Sequence, residues 1–308
     1  VLKSLTRRRA SFRELNHPMD RISRSFVLAP VLLGMVTAAF ARAEETSDKV
    51  CDFRQIKDIP YYEGEGADKV KHKLDLYLPK DRKDVPVLFF VHGGGWIHGD
   101  KDFFGVYSAI GAAFARQGIC TVVTNYRLSP GVQHPEHVKD VARAFAWTVK
   151  NIGKYGGKAD QIFVCGHSAG GHLVSLLTTD SSYLKAEGCS TDSIKGVIPV
   201  SGVYRIPDPW FTAVFGSDPI GRKQAAPLSH VHEGLPPFLI IYGDDDFPTC
   251  DQMSDDFCKA LKEKKDEAEL LEIKKRNHFT ILLNITVEKD PVTEAIVGFI
   301  HKRCAAGK

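Results

Sequence analysis

The stretch Gly166-His167-Ser168-Ala169-Gly170 sets a serine between glycines, straight after the apolar run QIFVC and at the start of a helical stretch. At a strand-to-helix corner such a serine is forced into a tight, strained turn. The glycines leave room for neighbouring backbone, and the hydroxyl stands above the sheet edge at a helix N-terminus. A bare G-x-S-x-G is common by chance, but here both flanks carry the required pattern. A second stretch, His92-Gly93-Gly94-Gly95-Trp96, follows the apolar run VLFFV. Acyl transfer develops an oxyanion that needs backbone N–H donors in fixed positions, and a glycine run lets bare backbone reach it. The N–H groups of Gly94 and Gly95, with that of Ala169, are the candidates. A plain glycine-rich turn is the simpler reading; a phosphate loop would need a G-K-[ST] ending, which is missing.

A nucleophilic serine needs a base, and the base needs a carboxylate to fix its tautomer. Asn277-His278-Phe279 follows the strand-like LLEIKK, and the apolar run LIIY ends in glycine and three aspartates, Asp244, Asp245 and Asp246. By fold analogy we choose Asp246, three residues past Gly243, in the loop that reaches towards the histidine. Asp244 and Asp245 are expected as a solvated or helix-capping pair. The order is then Ser168, Asp246, His278.

These residues need a scaffold that brings strand ends together. Strand patterns occur at 74–78, 87–91, 121–125, 161–165, 196–201, 237–242 and 269–274, and helix patterns at 103–117, 135–152, 169–179, 249–264 and 292–302. The strands are mostly continuous apolar runs, as expected where helices cover both faces. The alternation predicts a doubly wound, mostly parallel α/β sheet in a single domain, 44–308. Residues 202–232 break the rhythm and read as a small cap inserted between two strands.

Taken together, HGGGW, NYRLSP (125–130), GHSAGGH (166–172), PLSHV (227–231) and NHF resemble the α/β-hydrolases of the HGGG type. That group includes the hormone-sensitive-lipase-like esterases. The chain is most similar to the branch of feruloyl- and acetylxylan-esterase-like enzymes and arylformamidases, which has no large N-terminal helical cap. The resemblance runs from about residue 74 to the C-terminus. It implies a Ser/Asp/His hydrolase needing no metal and no organic cofactor, and a structural Arg127–Asp140 pair near the NYRLSP turn. The chain departs from these relatives at GDDDFPTC (243–250), where they often carry a valine-proline.

The composition, 308 residues with 43% hydrophobic and 26% charged, is that of a globular protein and too apolar for a disordered one. The net charge of +3 belongs to the N-terminus. Residues 1–43 hold eight Lys/Arg and two Asp/Glu, so the remainder carries −3. That balance gives no electrostatic argument for nucleic acid or for anionic membranes. Two arginines, an apolar run at 26–41 and Ala41-Arg42-Ala43 read as a secretory signal peptide, with 1–18 a possible upstream artefact of start-site choice. The expectation is export, with no stable membrane insertion of the mature chain; the alternative is a retained N-terminal anchor. Seven cysteines follow the leader, an odd number without small-scaffold spacing. Cys250 and Cys258 stand about 12 Å apart on one helix, beyond disulfide reach, and Cys120 and Cys165 are expected to be buried and inert.

Trp96, Trp210 and Phe211 are candidate walls of a substrate pocket, with core positions as the alternative. His230 and His232 lack a third ligand nearby and are not read as a metal pair. His134 and His137 are expected at the surface or capping a helix, His167 beside the serine turn, and His172 facing the sheet or a helix. The leading functional reading is a secreted serine carboxylesterase acting through an acyl-enzyme on short-chain or carbohydrate-linked acyl esters. An arylformamidase-type amidase is the runner-up. A non-catalytic binding protein on the same fold is the third, disfavoured because nucleophile, base, acid candidates and oxyanion loop are all present.

Overall fold

The structure, a computed structural model, describes residues 52–306; the leader expected at 1–43 lies outside them. Eight strands form one sheet: β1 (Phe53–Pro60), β2 (Lys73–Pro79), β3 (Val85–Val91), β4 (Cys120–Thr124), β5 (Gly157–His167), β6 (Ile194–Val200), β7 (Phe238–Asp245) and β8 (Ala268–Asn277). Their order is β1-β2-β4-β3-β5-β6-β7-β8. The strands from β3 to β8 pair in parallel, whereas β2 runs antiparallel to both β1 and β4. The antiparallel edge strand β1 is an element that the sequence pattern did not predict. Its side chains are all exposed or half-buried, so it lacks the apolar run that marks the others.

The helices are α1 (Val106–Arg116), α2 (Glu136–Asn151), α3 (Ala169–Thr179), α4 (Ser182–Ala186), α5 (Thr212–Phe215), α6 (Pro219–Gln224), α7 (Cys250–Glu263), α8 (Thr280–Leu283) and α9 (Pro291–Ala306). Successive side chains of a strand point to opposite faces. In β3, Phe89 therefore meets Phe145 of α2 edge-on at 5.6 Å, while Phe90 meets Tyr107 of α1 at 5.9 Å on the other face. Phe163 of β5 similarly reaches Phe299 of α9. Both faces are covered, which is why these strands are apolar without alternation. Every residue of α3 is buried. The hydroxyls of Ser175, Thr178 and Thr179 donate back to the carbonyls four residues earlier, which lets polar side chains sit in a fully enclosed helix.

The excursion at 202–232 is a folded cap that includes α5 and α6. Asp218 caps α6 by accepting from the N–H groups of Ile220 and Gly221. The buried Arg222 guanidinium donates to the carbonyls of Pro207 and Trp210 and to Thr212 Oγ1, fastening the first half of the cap to the second.

Asp140 of α2 is fully buried and does more than pair with Arg127. Its carboxylate accepts from Arg127 Nε (2.8 Å), Arg127 N–H (3.0 Å) and a terminal guanidinium N–H of Arg127 (2.8 Å). It accepts also from Arg143 (3.0 Å) and meets His72 Nε2 at 3.0 Å. Burial alone would raise this carboxyl; the bonds from His72 and Arg127 outweigh it and hold the pKa at about 2. The hub ties β2's approach, the loop after β4 and α2 together.

Candidate active site

Strands running in parallel deliver their C-terminal ends to one edge of the sheet. The loops and turns after β3, β5, β6, β7 and β8 carry the oxyanion candidates, Ser168, Ser201, Asp246 and His278 respectively.

Ser168 takes φ 55° and ψ −116°, a conformation a non-glycine residue holds only when its surroundings impose it. Its N–H donates to Val200 O of β6 at 2.9 Å, which pins the turn to the neighbouring strand. Gly170 lets the first turn of α3 close onto β3: a Cβ there would stand 2.0 Å from Val91 O. Ser168 itself is half-buried, open to solvent on one side.

His278 Nδ1 lies 2.7 Å from Asp246 Oδ1. Asp246 also accepts from Ser201 Oγ (2.5 Å), Gly243 N–H (3.3 Å) and Phe247 N–H (2.7 Å). Burial alone would push this carboxyl up, but the His278 ring, the Ser201 hydroxyl and the Phe247 N–H hold it well below the usual carboxylate range. A carboxylate so held stays ionised and keeps the proton of His278 on Nδ1, leaving Nε2 as the free base. No hydrogen bond joins Ser168 Oγ to the ring in this structure, and such contacts commonly tighten only on substrate binding. The base loop is nevertheless tied to the serine turn. His167 Nε2 donates to His278 O at 2.8 Å, and the two rings lie 4.8 Å apart.

The glycine loop is braced from below. Gly93 N–H donates to Tyr107 Oη (2.8 Å), His92 Nδ1 donates to Gly93 O (2.7 Å), and His92 stacks on Tyr126 at 4.4 Å. Gly94 has φ +113°, and its carbonyl accepts from the N–H groups of Ile97 and His98; a Cβ would lie 2.1 Å from His98 O. Among the described residues, the N–H groups of Gly94, Gly95 and Ala169 meet no acceptor. They remain the oxyanion candidates.

The remaining expectations fare unevenly. Trp96 does not line an open pocket: it is 1% exposed, boxed edge-on by Phe211, Phe215 and His172. Its indole N–H donates to His172 Nδ1 (3.2 Å), and His172 Nε2 donates to Ala225 O (2.8 Å). His172 thus joins oxyanion loop, α3 and cap rather than facing the sheet. Phe211 stands in front of Trp96, with its ring 3.6 Å from where a Gly95 Cβ would be. Trp210 is half-buried, and its carbonyl is used by Arg222. His137 is a core residue, 1% exposed, donating to Ser129 Oγ, and His134 packs against Phe215. Neither caps a helix, because Pro135 occupies the N-cap of α2. Asp244 and Asp245 are both exposed, the solvated alternative of the two expected, and Asp244 accepts from Arg276 N–H, holding β7 to β8. His230 and His232 each bond a nearby carbonyl, those of Gln224 and Glu233.

Sequence reasoning missed Ser201, Tyr107 and Phe247. Ser201 could have been found by its place, one residue past a core strand beside the acid strand. Phe247, 44% exposed, stacks on the His278 ring at 4.0 Å, and Phe279, 41% exposed, stands edge-on to it at 5.6 Å.

Burial pushes His92, His134 and His137 down to about 4, and His167 and His172 down to about 3. The unfolded chain titrates these groups near pH 6.5, so below that pH it takes up protons that the native state refuses. Their stabilisation is complete above about pH 6.5 and is lost as pH falls towards 4, by up to about 1.4 kcal/mol per pH unit for each group. The melting temperature should therefore drop steadily from pH 7 to pH 4.5; a flat profile in calorimetry would refute this.

Comparison with known proteins agrees with this architecture. Residues 74–206 match the BD-FAE family. The chain is 30% identical to Esterase LipC of Mycobacterium tuberculosis over 92% of its own length and 76% of LipC. It is 26% identical to the kynurenine formamidase of Danio rerio, over 80% of this chain and 82% of that one. It spans 62% of the length of two longer curated esterases. Among solved structures, a truncated carbohydrate esterase from gut microbiota superposes with a TM-score of 0.71 at 18% identity, covering 84% of this chain and 99% of that one. With LipC matched at this identity and coverage, and the sheet laid out as described, the chain belongs to the α/β-hydrolase esterases.

Proposed function

We propose that the protein is a serine carboxylesterase that works through an acyl-enzyme on short-chain or carbohydrate-linked acyl esters. The observation that carries the reading is the 2.7 Å bond between His278 Nδ1 and Asp246, tied through His167 to the strained turn of Ser168. Ser168 Oγ attacks the ester carbonyl while its proton passes to His278 Nε2. The N–H groups of Gly94, Gly95 and Ala169 hold the oxyanion. The ester C–O bond breaks, His278 returns the proton to the departing alkoxide, and water attacks through the same histidine to release the acid. Phe211, beside Gly95 and backed by Trp96, narrows the space next to the oxyanion loop and supports small acyl groups over long ones.

A p-nitrophenyl ester series from acetate to dodecanoate, with fluorophosphonate labelling of Ser168, tests this. The expected result is labelling at Ser168 and a kcat/KM that peaks at short chains. Preference for dodecanoate overturns the short-chain reading, and absence of both labelling and turnover overturns the esterase itself. The likeness to a formamidase keeps one second reading in view: faster turnover of N-formylkynurenine than of phenyl acetate would establish it instead. Export belongs to the same proposal. The secreted protein should begin at Glu44, directly after Ala41-Arg42-Ala43, which N-terminal sequencing checks.

A further inference from the structure

Two of the few large apolar side chains left exposed among the described residues, Phe247 and Phe279, flank one imidazole, that of His278. Phe247 lies nearly parallel to the ring, at 22° and 4.0 Å, and Phe279 is perpendicular to both, 5.8 Å from Phe247. Neither is needed for core packing. Phe247 belongs to the turn after β7 that carries Asp246, and its N–H is one of that carboxylate's donors. Phe279 follows the base, its N–H donating to Asn277 Oδ1 at 3.0 Å. The backbone contacts that set the acid and the base therefore also set the two rings.

The chemistry assigns sides to the site. The base must deliver its proton to the departing alkoxide oxygen, so the alcohol half of the ester lies against His278. The carbonyl oxygen points to Gly94, Gly95 and Ala169, and the acyl half lies away from the imidazole. Walls that flank His278 thus belong to the alcohol. Resting on the esterase reading above, we propose that Phe247 and Phe279 form an aromatic platform selecting esters whose alcohol carries a flat aromatic ring close to the ester oxygen. A flat ring stacks on one phenyl face and meets the other edge-on; a flexible aliphatic chain covers neither geometry well. The same exposed pair stays in water when no substrate is bound, so the contact is gained only in the complex.

The test keeps the acyl group constant. Benzyl acetate and n-butyl acetate give one common acetyl-enzyme, and their alcohols leave with similar basicity. The ratio of their kcat/KM values then reads the alcohol side alone, because damage to the triad lowers both equally and deacylation does not enter kcat/KM. Wild type should favour benzyl acetate. Phe279→Ala and Phe247→Ala should each cut that ratio by about threefold to tenfold, and the effect should appear mainly in KM for Phe279→Ala. Phe279→Leu, which keeps apolar volume but removes the flat ring, should fall with the alanine variant and covers the case in which the truncation does not fold. An unchanged ratio in folded Phe279→Leu and Phe247→Ala, whether the rates are kept or fall together, overturns the proposal. So does turnover of neither ester by a wild type whose Ser168 still takes fluorophosphonate. Failure of that labelling is the separate signature of a wrong esterase reading.

Discussion

Replacing Ser168 by alanine should lower kcat on p-nitrophenyl acetate by about 10⁴–10⁶, leaving the melting temperature within a few degrees of wild type. The loss is large because, in the proposed mechanism, the Ser168 hydroxyl is the nucleophile that forms the acyl-enzyme. The fold should survive because the backbone at Ser168 is held by Val200 O and by the close approach of Gly170 to β3, neither of which uses the hydroxyl. His278→Ala should lose a comparable amount, and combining the two should cost little more than either alone, since each removes the same step. The residual rate measures what the N–H groups of Gly94, Gly95 and Ala169 still contribute. A Ser168→Ala enzyme that keeps more than about a tenth of wild-type kcat, far above that expectation, would move the nucleophile elsewhere.

The second large effect is on stability. Asp140→Ala should destabilise the protein by roughly 3–5 kcal/mol. It takes away the carboxylate that answers Arg127, Arg143 and His72 in a site with no solvent access to the acid. Arg127 retains Glu136 at 2.9 Å and Arg143 retains Glu187 at 3.5 Å, but Arg127 Nε, the Arg127 backbone N–H and His72 Nε2 lose their acceptor. For a domain of this size the melting temperature should fall by roughly 6–20 °C. Asp140→Asn, which keeps an acceptor oxygen and loses the charge, should fall between wild type and alanine. Equal melting temperatures for all three in calorimetry would show that the hub is not a stabilising centre.

How far such features could be read from the chain depends on whether their cause is local. Helix α3 matches its sequence pattern at both ends, because Gly166, Ser168 and the apolar run after them specify turn and helix together. The meeting of Asp246 with His278 was legible by fold analogy, together with the loop position of the third aspartate. The reach of Asp140 was legible only as a pair, since His72 and Arg143 join it from elsewhere in the fold. Ser201 touches Asp246 across 45 positions, and His172 reaches Ala225 across 53 and Trp96 across 76. Nothing near those residues in sequence marks the partner. The edge strand β1 escaped for the opposite reason: it buries so little that its composition resembles a loop.

The proposed base stands after β8, the last strand in the sequence and one outer edge of the sheet. A ribosome releases the chain from its N-terminus, so the residues of the glycine loop and the serine turn emerge before His278 does. A nascent or arrested chain that ends between residues 169 and 277 carries Ser168 without His278, the proposed nucleophile without its proposed proton acceptor. Hydrolytic power is therefore acquired in a single late event of biogenesis. Turnover can accordingly report only on chains that reach beyond β8.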